Sequence, residues 1–191
     1  MGITAMSLER LNKYIHPADN ILMLGCQNLY NSENYGQIAH EYFLDKVHSI
    51  KTIDICGCQG AEIMDLREDL KFNREYSLIL QHGTIEHCDC ESLYQVFKNI
   101  HEACENRAII IHENPRFNHW PEHGKHFFSV EFYAELAKIC DYEVLELCEE
   151  PAMGNFETGM NVCCVLRLND DAKFCTEAKF NKIYKAHIYA K

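Results

Sequence analysis

The chain lacks any uninterrupted apolar run of the roughly 18 residues that a membrane-spanning helix needs, so no transmembrane helix is expected. Met1 to Lys13 holds no long apolar block and is broken by Glu9 and Arg10, which argues against a secretory leader. Basic charge is also scarce. Eighteen Lys and Arg face 29 Asp and Glu, giving a formal net charge of −11. Attraction to a phosphate backbone needs clustered Lys and Arg, so nucleic acid is disfavoured and a small-molecule partner favoured. No internal repeat, low-complexity tract or Pro/Gly/Ser-rich linker divides the sequence. Residues 1–191 are therefore expected to form a single cytoplasmic domain, with the oligomeric state left open.

Apolar residues make up 47% of the chain, enough for a sizeable core. The 11 cysteines would fit a disulfide scaffold in a small secreted protein. Here Cys140, Cys148, Cys163 and Cys164 fall inside apolar runs, where cysteine behaves as a small hydrophobe. Reduced thiols are expected.

Hydrophobic periodicity alternates between two patterns. Continuous apolar runs at Ile21–Leu24, Lys51–Ile55, Tyr76–Leu80 and Ala108–Ile111 read as strands buried on both faces, with a shorter one at Glu62–Met64. Helical spacing appears at Ser7–Tyr14, Gln37–Val47 and Ser92–Cys104, and again after Ser129, a serine cap followed by Phe132, Leu136 and Ile139. Two strands, Tyr142–Leu147 and Asn161–Leu168, then follow with only a loop containing Pro151, Gly154 and Gly159 between them. The order predicts an α/β three-layer sandwich: a Rossmann-like, mostly parallel seven-stranded sheet with a C-terminal antiparallel hairpin.

In such a sheet, ligands bind beyond the carboxyl ends of the strands. The residues there are Gly25-Cys26-Gln27-Asn28, Asp54, Asp65, Gln81-His82-Gly83 and His112-Glu113-Asn114. A strand-end carboxylate can accept both hydroxyls of a ribose, and a second can accept from an adenine amine. The same two acids would also serve as solvated turn residues, since Asp is common beside Gly in turns.

The stretch from Tyr76 to Pro115 resembles class I S-adenosylmethionine-dependent methyltransferases. The resemblance rests on a strand ending at Gln81, then Gly83, Glu86-His87, a helix bearing Asn99-Ile100-His101, and the strand Ile109–Ile111. His126-Phe127-Phe128-Ser129 with Glu131-Phe132 resembles the next helix of that class. In outline it covers residues 20–170, and it is specific between Ile53 and Tyr142. It implies S-adenosylmethionine as cofactor. The binding residues it implies are Gly25, Cys26 and Gln27 in the cofactor loop, Asp54 at the ribose, Asp65 and Leu66 at adenine, and Gln81, His82 and Gly83 beneath. The sequence departs from the class where Met23 replaces an acid and Gln27 and Leu29 replace glycines. Only a short segment separates Asp54 from Asp65, so the usual helix there is expected to be reduced or absent. Glu105-Asn106-Arg107 replaces a glycine-rich turn.

Methyl transfer needs an aligned nucleophile and a base when that nucleophile carries a proton. His87, His112 and Glu113 are the catalytic candidates, with His119 a further histidine in the following loop, Pro115–Lys125, which is expected to close over the acceptor. Cys56-Gly57-Cys58, Cys88-Asp89-Cys90 and the histidines at 112, 119, 123 and 126 lack the usual zinc-ligand spacing, so no metal is expected. The expected activity is methyl transfer to a metabolite or sugar-like acceptor. The alternative is a non-catalytic, methyltransferase-like binding or scaffold protein, with Tyr30, Tyr35 and Trp120 as contact residues.

Overall fold

The computed structural model describes residues 2–117, 119–120, 123–152, 159–187 and 189–190. In chain order these form β1 (Ile3–Thr4), α1 (Ala5–Tyr14), β2 (Asn20–Leu24), β3 (Leu29–Tyr30), α2 (Ala39–Leu44), β4 (Ser49–Asp54), β5 (Glu62–Ile63) and β6 (Tyr76–His82). Then come α3 (Leu93–Ala103), β7 (Cys104–Pro115), β8 (His126–Phe127), α4 (Val130–Cys140), β9 (Tyr142–Pro151), β10 (Met160–Leu168), α5 (Glu177–His187) and β11 (Tyr189–Ala190).

Seven strands make one sheet in the order β5-β4-β2-β6-β7-β10-β9. All pairings are parallel except those of β10, which runs antiparallel to both β7 and β9. The hairpin expected from sequence is present, with its second strand inserted inward of its first. Chain order runs outward from β2 through β4 to β5, then resumes on the other side at β6. The switch point therefore lies between β2 and β6, at Gly25 and Gly83.

Helices cover both faces because each central strand is apolar on both sides. Ile21, Met23, Leu78, Leu80 and Ile111 pack under α1 and α2. Leu22, Leu24, Ile79 and Ile110 pack under α3, α4 and α5, with Phe97, Phe132 and Phe180 at the centre. The predicted apolar face of α3 (Leu93, Val96, Phe97, Ile100) is buried throughout. At α4 the Ser129 hydroxyl accepts the Phe132 N–H at 3.2 Å, the cap read from sequence.

The structure departs from the sequence reading in several elements. α2 is shorter than predicted, and β7 begins at Cys104 because Arg107 takes a left-handed conformation (φ 66°) and lets the strand bend instead of ending. Between β4 and β5 there is only a single 3-10 turn, Cys58–Gly60, so the helix is absent as expected. α5 was not foreseen, although Phe180, Ile183 and Tyr184 have helical spacing. Gly154 and parts of the Pro115–Lys125 loop (118 and 121–122) lie outside the described residues. Among the described residues, no helix is long and apolar enough to cross a membrane.

Candidate active site at the sheet switch point

A cleft of about 320 Å³ opens at the carboxyl ends of β2, β4 and β6, lined among others by Gly25, Gln27, Asp54, Asp65, Thr84 and His87. That volume falls in the range of small-molecule sites. Gly25 has φ +83°, and a Cβ there would sit 2.4 Å from the Thr84 hydroxyl, so no other residue fits without displacement. Thr84 in turn donates to the Leu24 carbonyl at 2.8 Å, closing the gap between β2 and β6.

Gln27, only 3% exposed, reaches across the same gap. Its Nε2 donates to the His82 carbonyl at 2.8 Å. A carbonyl can only accept, which fixes the amide's orientation and leaves Oε1 turned away. That oxygen is buried and finds no partner among the described residues.

Asp54 sits at the end of β4. One carboxylate oxygen accepts the Cys26 N–H at 2.8 Å and the other the Cys56 N–H at 2.9 Å. Burial alone would raise its pKa, but these backbone bonds outweigh it and hold the group below the usual carboxylate range. Asp65 lines the same cleft. Arg67 grips it through Nε (2.9 Å) and Nη2 (2.6 Å), and that bonding lowers its pKa. The two acids thus line one crevice. The sequence pattern does not point to Arg67 or Thr84, although each stands within two residues of a predicted site residue.

His87 lies on the cleft wall, with Nε2 3.7 Å from the buried Glu86 carboxylate and its ring 4.9 Å from that of His123. Partial burial lowers its pKa, so the imidazole is neutral at pH 7. His123 also approaches Glu86 (3.4 Å), and Lys125 donates its N–H to the Glu86 carbonyl at 2.7 Å. The loop after β7 is thereby tied to the segment carrying His87. Trp120 in this loop donates to the Met160 carbonyl and to Asn161 Oδ1, each at 3.0 Å, so its indole is anchored to the start of β10. His119, in the same loop, is placed by its backbone N–H on the Arg116 carbonyl at 3.2 Å.

Of the remaining predicted residues, Cys26, Leu66 and Gly83 line the cleft, whereas Gln81, His82, His112 and Glu113 do not. His112 bonds Gln81 Oε1 at 3.1 Å and packs against Phe97 and Tyr133 beneath α3 and α4. Burial pushes its pKa down to about 3. Glu113 points to the opposite layer, where it accepts from Asn161 at 2.8 Å and lies 3.7 Å from Arg10 of α1 and 3.6 Å from His82. Burial raises the Glu113 pKa and lowers that of His82 to about 3. The cause of this placement is the strand period. Side chains at the ends of strands covered on both faces point into the two helix layers, not past the sheet edge.

No protein-family model and no curated protein matches the chain in sequence. Solved structures do match it in fold. The N1-methyltransferase of 1,6-didemethyltoxoflavin from Burkholderia thailandensis, solved with that compound and S-adenosylhomocysteine, superposes at TM-score 0.64 and 12% identity, covering 85% of this chain and 76% of its own. The N-methyltransferase NodS from Bradyrhizobium japonicum, with S-adenosylhomocysteine, gives 0.56 at 13% identity over 86% and 88% of the two chains. The [4+2]-cyclase SpnF gives 0.62 at 10% identity over 86% and 82%. The chain therefore has the fold of the class I S-adenosylmethionine-dependent methyltransferases.

Proposed function

We propose that the chain is an S-adenosylmethionine-dependent methyltransferase acting on a small-molecule acceptor. The observation that carries this reading is that two strand-end carboxylates, Asp54 and Asp65, line one cleft at the switch point. The residues present fit the cofactor. Two backbone N–H groups favour the ionised form of Asp54, and its carboxylate keeps an oxygen lone pair for a ribose hydroxyl. Gln27 lines the same cleft, and its amide would have to turn to offer the now buried Oε1 to the ammonium of the amino-acid tail.

When bound, the cofactor supplies an electrophilic methyl group on sulfur. His87 would take a proton from the acceptor, a role supported by its position on the cleft wall and by the burial that lowers its pKa. Glu86 sits within reach to favour the imidazolium that results. Small acceptors are supported by the size of the cleft and by the small molecule bound in the toxoflavin-related neighbour.

A second reading, binding without methyl transfer, is favoured by Gln27 bridging the switch point and by a cyclase sharing the fold. Calorimetric titration with S-adenosylmethionine and S-adenosylhomocysteine separates the two. Saturable heat, weakened by about 1–3 kcal/mol in Asp54→Ala, is expected for the enzyme. Folded protein that gives no heat at millimolar ligand would refute it.

A further inference from the structure

Cys26 lines the cleft and Cys56 and Cys58 lie in the turn after Asp54; the thiols of these three cysteines have no part in the reading above. Cys26 follows β2, and Cys56 and Cys58 follow β4, some 30 residues later in the chain. β2 and β4 are parallel neighbours in the sheet, so their carboxyl ends lie side by side and bring the two loops together. Gly57 takes φ 61° and Gln59 φ 53°, two left-handed residues that fold the Cys-Gly-Cys turn back onto Cys26. The Cys26 thiol donates to the Cys58 carbonyl at 2.9 Å, and the Cys56 and Cys58 sulfurs are 2.8 Å apart. Every described cysteine is free.

We propose that Cys26, Cys56, Cys58 and Asp54 form a binding site for one thiophilic divalent cation of the zinc class. One donor atom from each of the four residues lies within 4.8 Å of all the others. Four donors around a tetrahedral ion with sulfur bonds of about 2.3 Å stand roughly 3.8 Å apart, so the cluster surrounds the right volume. The Cys56–Cys58 pair, at 2.8 Å, must open by about 1 Å, which two exposed side chains on a glycine turn can do.

The donor set, three soft sulfurs and one carboxylate oxygen, selects zinc over magnesium or calcium. Asp54 is already oriented by the N–H groups of Cys26 and Cys56, the supporting bonds that metal-binding carboxylates use. Exposure of Cys56 and Cys58 gives the ion a way in. Sequence spacing alone had set the site aside, because Cys-x-Cys supplies only two ligands and the third comes from another strand end.

The proposal does not rest on the methyltransferase reading, since its test reads the ion itself. Reduced, chelator-stripped, untagged full-length protein is titrated with Zn²⁺ against a chromophoric chelator. One tight equivalent is expected. Cys26→Ser and the double variant Cys56→Ser/Cys58→Ser should each weaken it by about 100-fold or more, while Cys90→Ser, an exposed cysteine elsewhere, leaves it unchanged. Co²⁺ then counts ligands in the unmutated protein. Its thiolate-to-metal band should have the intensity of three sulfurs and fall by about a third in Cys26→Ser. The proposal is overturned by the absence of a tight equivalent, by a cobalt band of fewer than three sulfurs, or by Cys90→Ser losing as much affinity as Cys26→Ser.

Discussion

Asn99 on α3 offers the sharpest test of how the cleft is held open. It is fully buried, and its Nδ2 donates to two carbonyls of the segment that forms the cleft wall, Leu66 at 2.9 Å and Glu68 at 2.7 Å. Its Oδ1 accepts from Gln95 at 2.9 Å. Replacing Asn99 with Leu keeps the bulk and removes both donors. The Leu66 carbonyl is then buried without a partner, a penalty of about 1–3 kcal/mol. The Glu68 carbonyl is partly exposed and regains water, so only the net value of that bond, about 1 kcal/mol, is lost. The sum is about 2–4 kcal/mol, or a fall of about 4–16 °C in Tm for a domain of this size. Urea unfolding at pH 7 measures it directly. Asn99→Asp retains the acceptor for Gln95 but presents oxygen to the two carbonyls, and should cost at least as much. A loss below about 1 kcal/mol in Asn99→Leu, or an Asn99→Asp variant as stable as the parent, would refute the assignment of the donors.

Further predictions follow from the buried polar groups. His112 is neutral in the folded state down to about pH 3 but titrates at 6.5 when unfolded. Below pH 6.5 the unfolded chain therefore binds one more proton at this site, and stability falls as pH drops, by about 1.4 kcal/mol per unit. His112→Gln should make the acid-side slope shallower by about that amount, and an unchanged slope would count against the neutral assignment. Gln27→Leu removes the acceptor while keeping the bulk, and should weaken S-adenosylhomocysteine by about tenfold in calorimetry; equal affinity would show that Oε1 does not face the ligand. Gly159 has φ +109° and a Cβ there would meet the Trp120 ring at 2.7 Å. Gly159→Ala should therefore destabilise the domain by about 1–3 kcal/mol and shift the fluorescence of this single tryptophan. A parent-like spectrum and midpoint would disprove the contact.

Periodicity and run length were enough to define the layered α/β order, the seven central strands and the terminal hairpin. These are local signals: an apolar run buried on both faces can only sit between two layers of helices. The Asn99-Ile100-His101 stretch that carried part of the family resemblance also acquires a physical reason, since Asn99 holds the cleft wall and His101 bonds Tyr142 at 2.8 Å. α5 was legible in Phe180, Ile183 and Tyr184, but the lysines around them masked the period.

Which strand-end residues line the cleft was decided by tertiary structure alone. Sequence places Asp54, His82, His112 and Glu113 at equivalent positions just past a strand. The sheet sends His112 beneath α4 and Glu113 beneath α1, and leaves Asp54 at the open edge. The same holds for Cys26, whose closeness to Cys56 and Cys58 follows from the pairing of β2 with β4. A linear chain encodes its strands by neighbouring residues, but the pairing of distant strands fixes which atoms share a cleft.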